Sequence, residues 1–187
     1  MASHSGPDPK TLMQRYCRDG DKEAFSRFYR SQSDRLWRFL RARGVDGETA
    51  YDLMAEAFLR FIQVACKDVS APVALLYRIA INLHIDLYRR ARCVPLEGEG
   101  ADMMPQNVTG HPQDERIHML RLLKTLSTDE QNLLLLRYWI GMTHKEVAQV
   151  LQVPEGTIRR QCAATLKKLA VQWVPVEQDQ REEEPVH

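Results

Sequence analysis

No apolar run in these 187 residues approaches the roughly 18 needed to cross a bilayer. The opening Met1-Ala2-Ser3-His4-Ser5-Gly6-Pro7-Asp8 has no basic segment followed by an apolar one. These absences argue against membrane insertion and lead to the expectation of a soluble, cytoplasmic protein. Cysteine is scarce: Cys17, Cys66, Cys93 and Cys162 lie far apart, with no CxxC pair and no close His/Cys cluster. No zinc site is expected, and the four residues read as structural thiols. Charge of one sign is also missing, since 26 basic and 25 acidic residues leave a formal charge of +1. Coating nucleic acid by bulk electrostatics is therefore excluded, and the distribution of charge matters more than its sum. Gly-rich phosphate loops, a GxSxG elbow and metal-like carboxylate clusters are absent, and the six His are scattered. Neither catalysis nor a metal or other cofactor is expected.

What remains is an ordinary globular composition, 44% apolar and 27% charged. Residues 94–115 (VPLEGEGADMMPQNVTGHPQDE) hold three Pro, three Gly and five acidic residues without a Lys or Arg, the composition of a flexible acidic linker. The expected organisation is an N-terminal domain over 1–93, the linker, a C-terminal domain over 116–173, and a solvated Glu-rich tail over 174–187.

Apolar positions recur at three and four throughout, with no strand alternation, so the expected fold class is all-α. A helix near 22–43 carries Phe25, Phe28, Tyr29, Leu36, Phe39 and Leu40 and ends at Gly44, suited to a left-handed C′ position. On the next helix, Ala50, Leu53, Met54, Ala57, Phe58, Phe61, Ile62 and Ala65 make one continuous face. A three- or four-helix bundle accommodates both. Two capping boxes, Ser127 with Glu130 and Thr143 with Glu146, open helices in the C-terminal part. The first runs through NLLLLRYWI to Gly141; a third helix starts at Pro154.

HKEVAQVL, the turn QVP and EGTIRRQCAATLKKL have helix-turn-helix proportions over 144–163. Ala148 permits close approach, while Val150, Leu151, Ile158 and Leu166 are the expected core. Thr157, Arg159, Arg160, Gln161 and Ala163 span the first two turns of the second helix, where a recognition helix meets base edges and phosphates. An αα-hairpin with a solvated basic face is the plainer alternative. Over 71–92, Arg78, Asn82, Asp86 and Arg89 fall on one polar stripe, opposite a core face of Leu76, Ile79, Ala80, Leu83 and Leu87. Tyr77, Ile81, His84 and Tyr88 lie on flanks expected to be incompletely buried. Arg, Asn and aromatic groups around one helix suit phosphate pairing and stacking on unpaired bases. A core helix with one wet face and an Asp86/Arg90 pair is the plainer reading of the same pattern.

Three stretches in order resemble the extracytoplasmic-function group of sigma-70 family sigma factors of bacterial RNA polymerase. YDLMAEAFLRFIQ is similar to the polymerase-binding helix, ALLYRIAINLHIDLYRRAR to the promoter-melting and minus-ten segment, and LSTDEQNLLLLRYWIGMTHKEVAQVLQVPEGTIRRQCAATLKKL to the minus-thirty-five helix-turn-helix domain. The resemblance implies that Asp52, Leu53, Glu56, Phe58 and Leu59 dock on core RNA polymerase, although Leu53 and Phe58 serve the core as readily. It assigns Arg78, Asn82, Arg89 and Arg90 to the opened minus-ten strand, the loop near Lys67 to Ala71 to an extruded base, and the helix-turn-helix to promoter DNA. It further implies an anti-sigma factor as a partner. Gln152 stands where the family commonly has Gly, costing roughly 1 kcal/mol if its φ is positive. Gln161 and Ala164 replace residues that are often basic. Two rival readings of the residues are a free-standing helix-turn-helix regulator and a polymerase-binding adaptor that reads no DNA.

Overall fold

The computed structural model describes residues 8–93, 122–123 and 125–172. The expected linker and the expected tail lie outside the described residues. Among the described residues every regular element is helical, in agreement with the all-α expectation.

Four helices make the N-terminal unit: α1 (Pro9–Asp19), α2 (Lys22–Ala42), α3 (Gly47–Ala65) and α4 (Pro72–Cys93). Their boundaries follow local chemistry. Asp21 caps α2 by accepting from the Ala24 amide at 3.0 Å, and Asp46 caps α3 by accepting from Glu48 and Thr49 at 3.1 and 2.9 Å. Gly44, at φ +85°, ends α2 in the left-handed conformation that its missing Cβ permits. Phe28 stacks on Phe61 with ring centroids 5.2 Å apart, and Phe39 meets Tyr77 edge-on at 5.3 Å; all four rings are fully buried.

Four helices agree with the expected three- or four-helix bundle; α1 is the member the sequence reading left unplaced, and it changes two sequence expectations. It packs on α2 and α4, burying Leu12 and Met13. With the C-terminal unit against its other side, α4 buries Tyr77, Ile81 and His84, which had been placed on open flanks. Leu87, expected in the core, is 37% exposed because α4 outruns the bundle from Asp86 onward. The reading of four structural thiols is also corrected: Cys17 on the last turn of α1 and Cys66 at the end of α3 form a disulfide, with Cα atoms 5.3 Å apart. Cys162 is a buried free thiol, and burial pushes its pKa up.

In the C-terminal unit, α5 (Thr128–Leu134) opens with the expected capping box: Ser127 Oγ accepts from the Glu130 amide, and the Ser127 amide donates to Glu130 Oε2 at 2.8 Å. The expected uniform helix to Gly141 instead widens into a π turn over Leu135–Trp139, with the Ile140 amide reaching back five residues to Leu135. Leu133, Leu134, Leu135 and Leu136 are all buried, a run covering most of a helix circumference. Helix α6 (His144–Leu151) opens with the second box, Thr143 with Glu146. Gln152 then takes φ +56°, and α7 (Glu155–Gln172) follows. Pro154 precedes α7, its carbonyl accepting from Thr157 and Ile158. Leu166, expected in the core, is 41% exposed; Ile158, Cys162 and Thr165 form the inner stripe instead.

The two units pack together. Helix α6 lies on α4, and the buried residues from Leu12 to Cys162 form one contiguous cluster. Arg35 Nη2 donates to the Ile140 carbonyl at 2.5 Å, and the Arg43 guanidinium donates to both Asn132 Oδ1 and His84 Nδ1.

Candidate nucleic-acid interface

On α3 the amphipathic pattern sorts the candidates by depth. Leu53 and Phe58 are 9% and 4% exposed, and Phe58 packs against Tyr29 with ring centroids 4.7 Å apart; both are core residues. Asp52 and Leu59 face outward, Leu59 at 59% exposure, with Glu56 half-buried beside them. Glu56 accepts from Arg60 Nε at 2.7 Å, an i,i+4 pair that holds the carboxylate on the outer stripe. Tyr51, which sequence reasoning left out, is equally exposed, in the first turns of α3 and to one side of that stripe. Leu59 falls off the continuous apolar face, whereas Tyr51 lies on it by periodicity and is exposed because it sits in the first turns of α3. The result is an outer stripe of Leu59 and two carboxylates, with the exposed Tyr51 ring to one side.

Helix α4 carries the second surface. Asn82, Asp86, Arg89 and Arg90 are exposed, Arg78 is half-buried, and Tyr88 is 45% exposed with its ring 4.7 Å from that of His84. Three cations, an amide and an aromatic face thus share one helix. The preceding loop is held by Asp68, whose Oδ1 accepts from the Ser70 amide at 2.8 Å. That hydrogen bonding, from the Ser70 side chain and amide, lowers the Asp68 pKa. Lys67, Asp68, Ser70 and Arg78 line a groove whose opposite wall is Gln149 and Gln152 of the helix-turn-helix. Asn82, Arg89 and Arg90 are exposed, whereas the groove at the N-terminal half of α4 is walled on one side by the helix-turn-helix.

The third surface is the outer face of α7. Arg159, Arg160, Gln161 and Ala163 are exposed and Thr157 is half-buried, so all five candidates lie together on its first turns. Arg159 Nη2 pairs with Glu155 at 2.6 Å and must exchange that exposed partner to meet a phosphate. Among the described residues Arg160 makes only a long 3.5 Å contact with Thr157 Oγ1. Lys167 and Lys168 extend the basic face, Lys168 toward Glu130 at 3.0 Å.

Arg43 and His84 sit where the units meet. Arginine only donates, so the Nδ1 that receives Arg43 is unprotonated and His84 is neutral with its proton on Nε2. Burial, reinforced by the Arg43 charge, lowers the His84 pKa to about 3; burial likewise lowers that of Arg43 to about 10.

No helix among the described residues is long and apolar enough to cross a membrane, and no cluster of His, Cys, Asp or Glu among them could hold a metal ion.

Two family models match in order: Sigma-70 region 2 over residues 28–93 and Sigma-70, region 4 over residues 122–170. The chain is 27% identical over 169 residues to the ECF RNA polymerase sigma factor SigC of Mycobacterium tuberculosis, covering 87% of this chain and 90% of SigC. It is 28% identical over 156 residues to SigM of the same organism, another ECF RNA polymerase sigma factor, covering 81% and 78%. Among solved structures, CnrH in complex with the cytosolic domain of CnrY matches with a TM-score of 0.63 at 20% identity, over 88% of this chain and 97% of that one; the likeness shows the fold.

Proposed function

We infer a division of labour between the helical units from one premise: the chain belongs to the sigma-70 family, as an extracytoplasmic-function RNA polymerase sigma factor. It is an alternative sigma factor that binds core RNA polymerase and directs promoter-specific transcription initiation. Sigma factors are not an enzyme class, and the polymerase supplies the nucleotide chemistry. The observation that carries the reading is the order of the two family matches on two separately capped helical units.

The finer assignments are proposals. The domains run over 1–93 and 116–173, joined by 94–115, in a cytoplasmic protein. The exposed ridge of Asp52, Glu56 and Leu59, extended by Tyr51, docks on core polymerase, supported from beneath by Leu53 and Phe58. Arg78, Asn82, Arg89 and Arg90 hold the melted minus-ten strand. Arg159, Arg160 and Gln161, with Thr157 and Ala163, read the minus-thirty-five major groove. Capturing unstacked bases lowers the cost of opening a duplex whose stacking alone is worth about 1.4 kcal/mol per step.

These assignments require the units to separate. The two promoter elements lie some 25 steps apart, roughly 85 Å at about 3.4 Å per step, whereas here α6 lies directly on α4. The 28 residues between Cys93 and Leu122 could reach at most about 95 Å at roughly 3.4 Å each, enough for the separation. An anti-sigma partner, like the CnrY domain that accompanies CnrH, would act by holding such a compact form.

The test is transcription in vitro with sigma-free core polymerase, this protein and a library of promoter fragments. Discrete start sites that depend on the protein are expected, with loss of minus-thirty-five-dependent starts in Arg159→Ala/Arg160→Ala. Duplex binding without polymerase and without transcripts would favour the free-standing regulator; core binding indifferent to those arginines would favour the adaptor.

A further inference from the structure

We propose that Cys17 and Cys66 are a redox-modification site, an oxidant-responsive dithiol that takes a hydroperoxide as its reactant and locks α1 to the end of α3. Three observations carry it: the placement of the two side chains, their unequal access, and the surface cavity that both line.

The cysteines are 49 residues apart in sequence, yet their Cα atoms stand 5.3 Å apart on different helices, within the range a bridge needs. Cys66 is exposed and Cys17 is half-buried beneath it. Both line a surface cavity with Tyr16, Gly20, Lys22 and Phe25, open enough for a small oxidant to enter. The Lys22 ammonium on the wall favours a thiolate, and the two helix C-termini oppose it. That balance sets the rate and leaves the product unchanged. Cys162, by contrast, is buried.

The chemistry balances in two steps. The Cys66 thiolate attacks the distal oxygen of the hydroperoxide, breaking the O–O bond. Cys66 becomes a sulfenic acid and the peroxide is released as water or an alcohol. The Cys17 thiolate then attacks the Cys66 sulfur, expelling hydroxide, which leaves as water. Two thiols are oxidised by two electrons overall and one peroxide bond is reduced. Thiol reductants reverse the bond by exchange. In the cytoplasm, on the placement proposed above, the pair rests reduced and bridges under oxidant load.

The bond has a local consequence. It closes a loop that contains the whole of α2 and fixes Cys66, which immediately precedes the Lys67 to Ala71 loop. Reduction leaves α1 held by Leu12, Met13 and the Tyr16–Phe25 contact at 5.1 Å.

Reduced full-length protein treated with stoichiometric hydrogen peroxide should lose about 2 Da and yield one cross-linked peptide pair, Cys17 with Cys66. Its thermal midpoint should rise by about 5 °C or more, reversibly with dithiothreitol. Cys17→Ser should stop at a Cys66 sulfenic acid that dimedone traps, with no rise in midpoint. Cross-links through Cys93 or Cys162, conversion of Cys66 to sulfinic acid with Cys17 free, or an unchanged midpoint in the bridged wild type would each overturn the proposal. The cross-link map uses the wild type alone, so it stands even if the Cys17→Ser variant folds poorly, and it requires neither polymerase nor DNA.

Discussion

His84 shows how one buried side chain links protonation to the joint between the units. Its pKa of about 3 in the folded chain lies far below the ordinary 6.5. Between these values the unfolded chain binds a proton that the folded chain does not, so stability rises with pH in that window. The contribution is fully present above about pH 6.5 and is lost as pH falls, by about 1.4 kcal/mol per unit. Denaturant midpoints measured from pH 7.5 to 5.5 should therefore fall more steeply for the wild type than for His84→Asn. Parallel slopes would show that His84 is solvated. Gln152 tests backbone strain in the same way. It is the non-glycine residue at positive φ among the described residues, as its place in the turn anticipated. Gln152→Gly should relieve roughly 1 kcal/mol of left-handed strain, partly offset by greater freedom in the unfolded chain. A small net gain in unfolding free energy is expected, and a loss would show that the Gln152 side chain contributes contacts of its own.

At the scale of the element, helix α3 presents two residues of similar size and opposite fate next to each other. Phe58 sits among Phe28 and Tyr29, and Leu59 points away from the bundle. Phe58→Ala should cost about 3–5 kcal/mol of stability through its cavity. Leu59→Arg should alter stability by less than about 0.5 kcal/mol, yet weaken binding to core polymerase about tenfold in a competition assay. An unchanged affinity would remove Leu59 from the docking ridge. The periodicity that separates these neighbours was legible in the sequence, as were both capping boxes and the Gly44 stop, because each depends on residues within one turn. Helix α1 was not legible: PKTLMQRYCRD offers little beyond Leu12 and Met13 to a core. Without α1, the burial of Tyr77 could not be foreseen, nor could a partner for Cys66. The π turn was hidden for a related reason, since four adjacent leucines fit any helix and only packing on both sides decides its pitch. The site candidates on α4 and α7 were legible as exposed polar stripes, whereas the second wall of the Lys67 to Ala71 groove depends on residues some 80 apart coming together.

For the whole molecule, the joint between the units is the feature that composition could least reveal. Arg43 reaches from the end of α2 to Asn132 on α5 and to His84 on α4, with no carboxylate among its hydrogen-bond partners in the described residues. A largely buried guanidinium satisfied only by neutral groups is costly by itself. It favours the closed arrangement through directed hydrogen bonds that exist only when the units meet. Arg35 adds a second tie to the Ile140 carbonyl. Removing Arg43 trades those bonds for unpaired acceptors at the joint, so the closed form should lose more than the separated one, in which water reaches both groups. A shift of about 1.4 kcal/mol would raise the open-to-closed ratio tenfold and raise apparent affinity for any ligand of the open form in proportion to its population. Arg43→Ala should therefore increase the radius of gyration in solution scattering. It should also tighten binding of a single-stranded minus-ten oligonucleotide, while the circular dichroism of the helices stays unchanged. Tighter binding without expansion would instead place the effect within α4 itself. Expansion without tighter binding would mean that the groove walled by the helix-turn-helix is not where the strand is held.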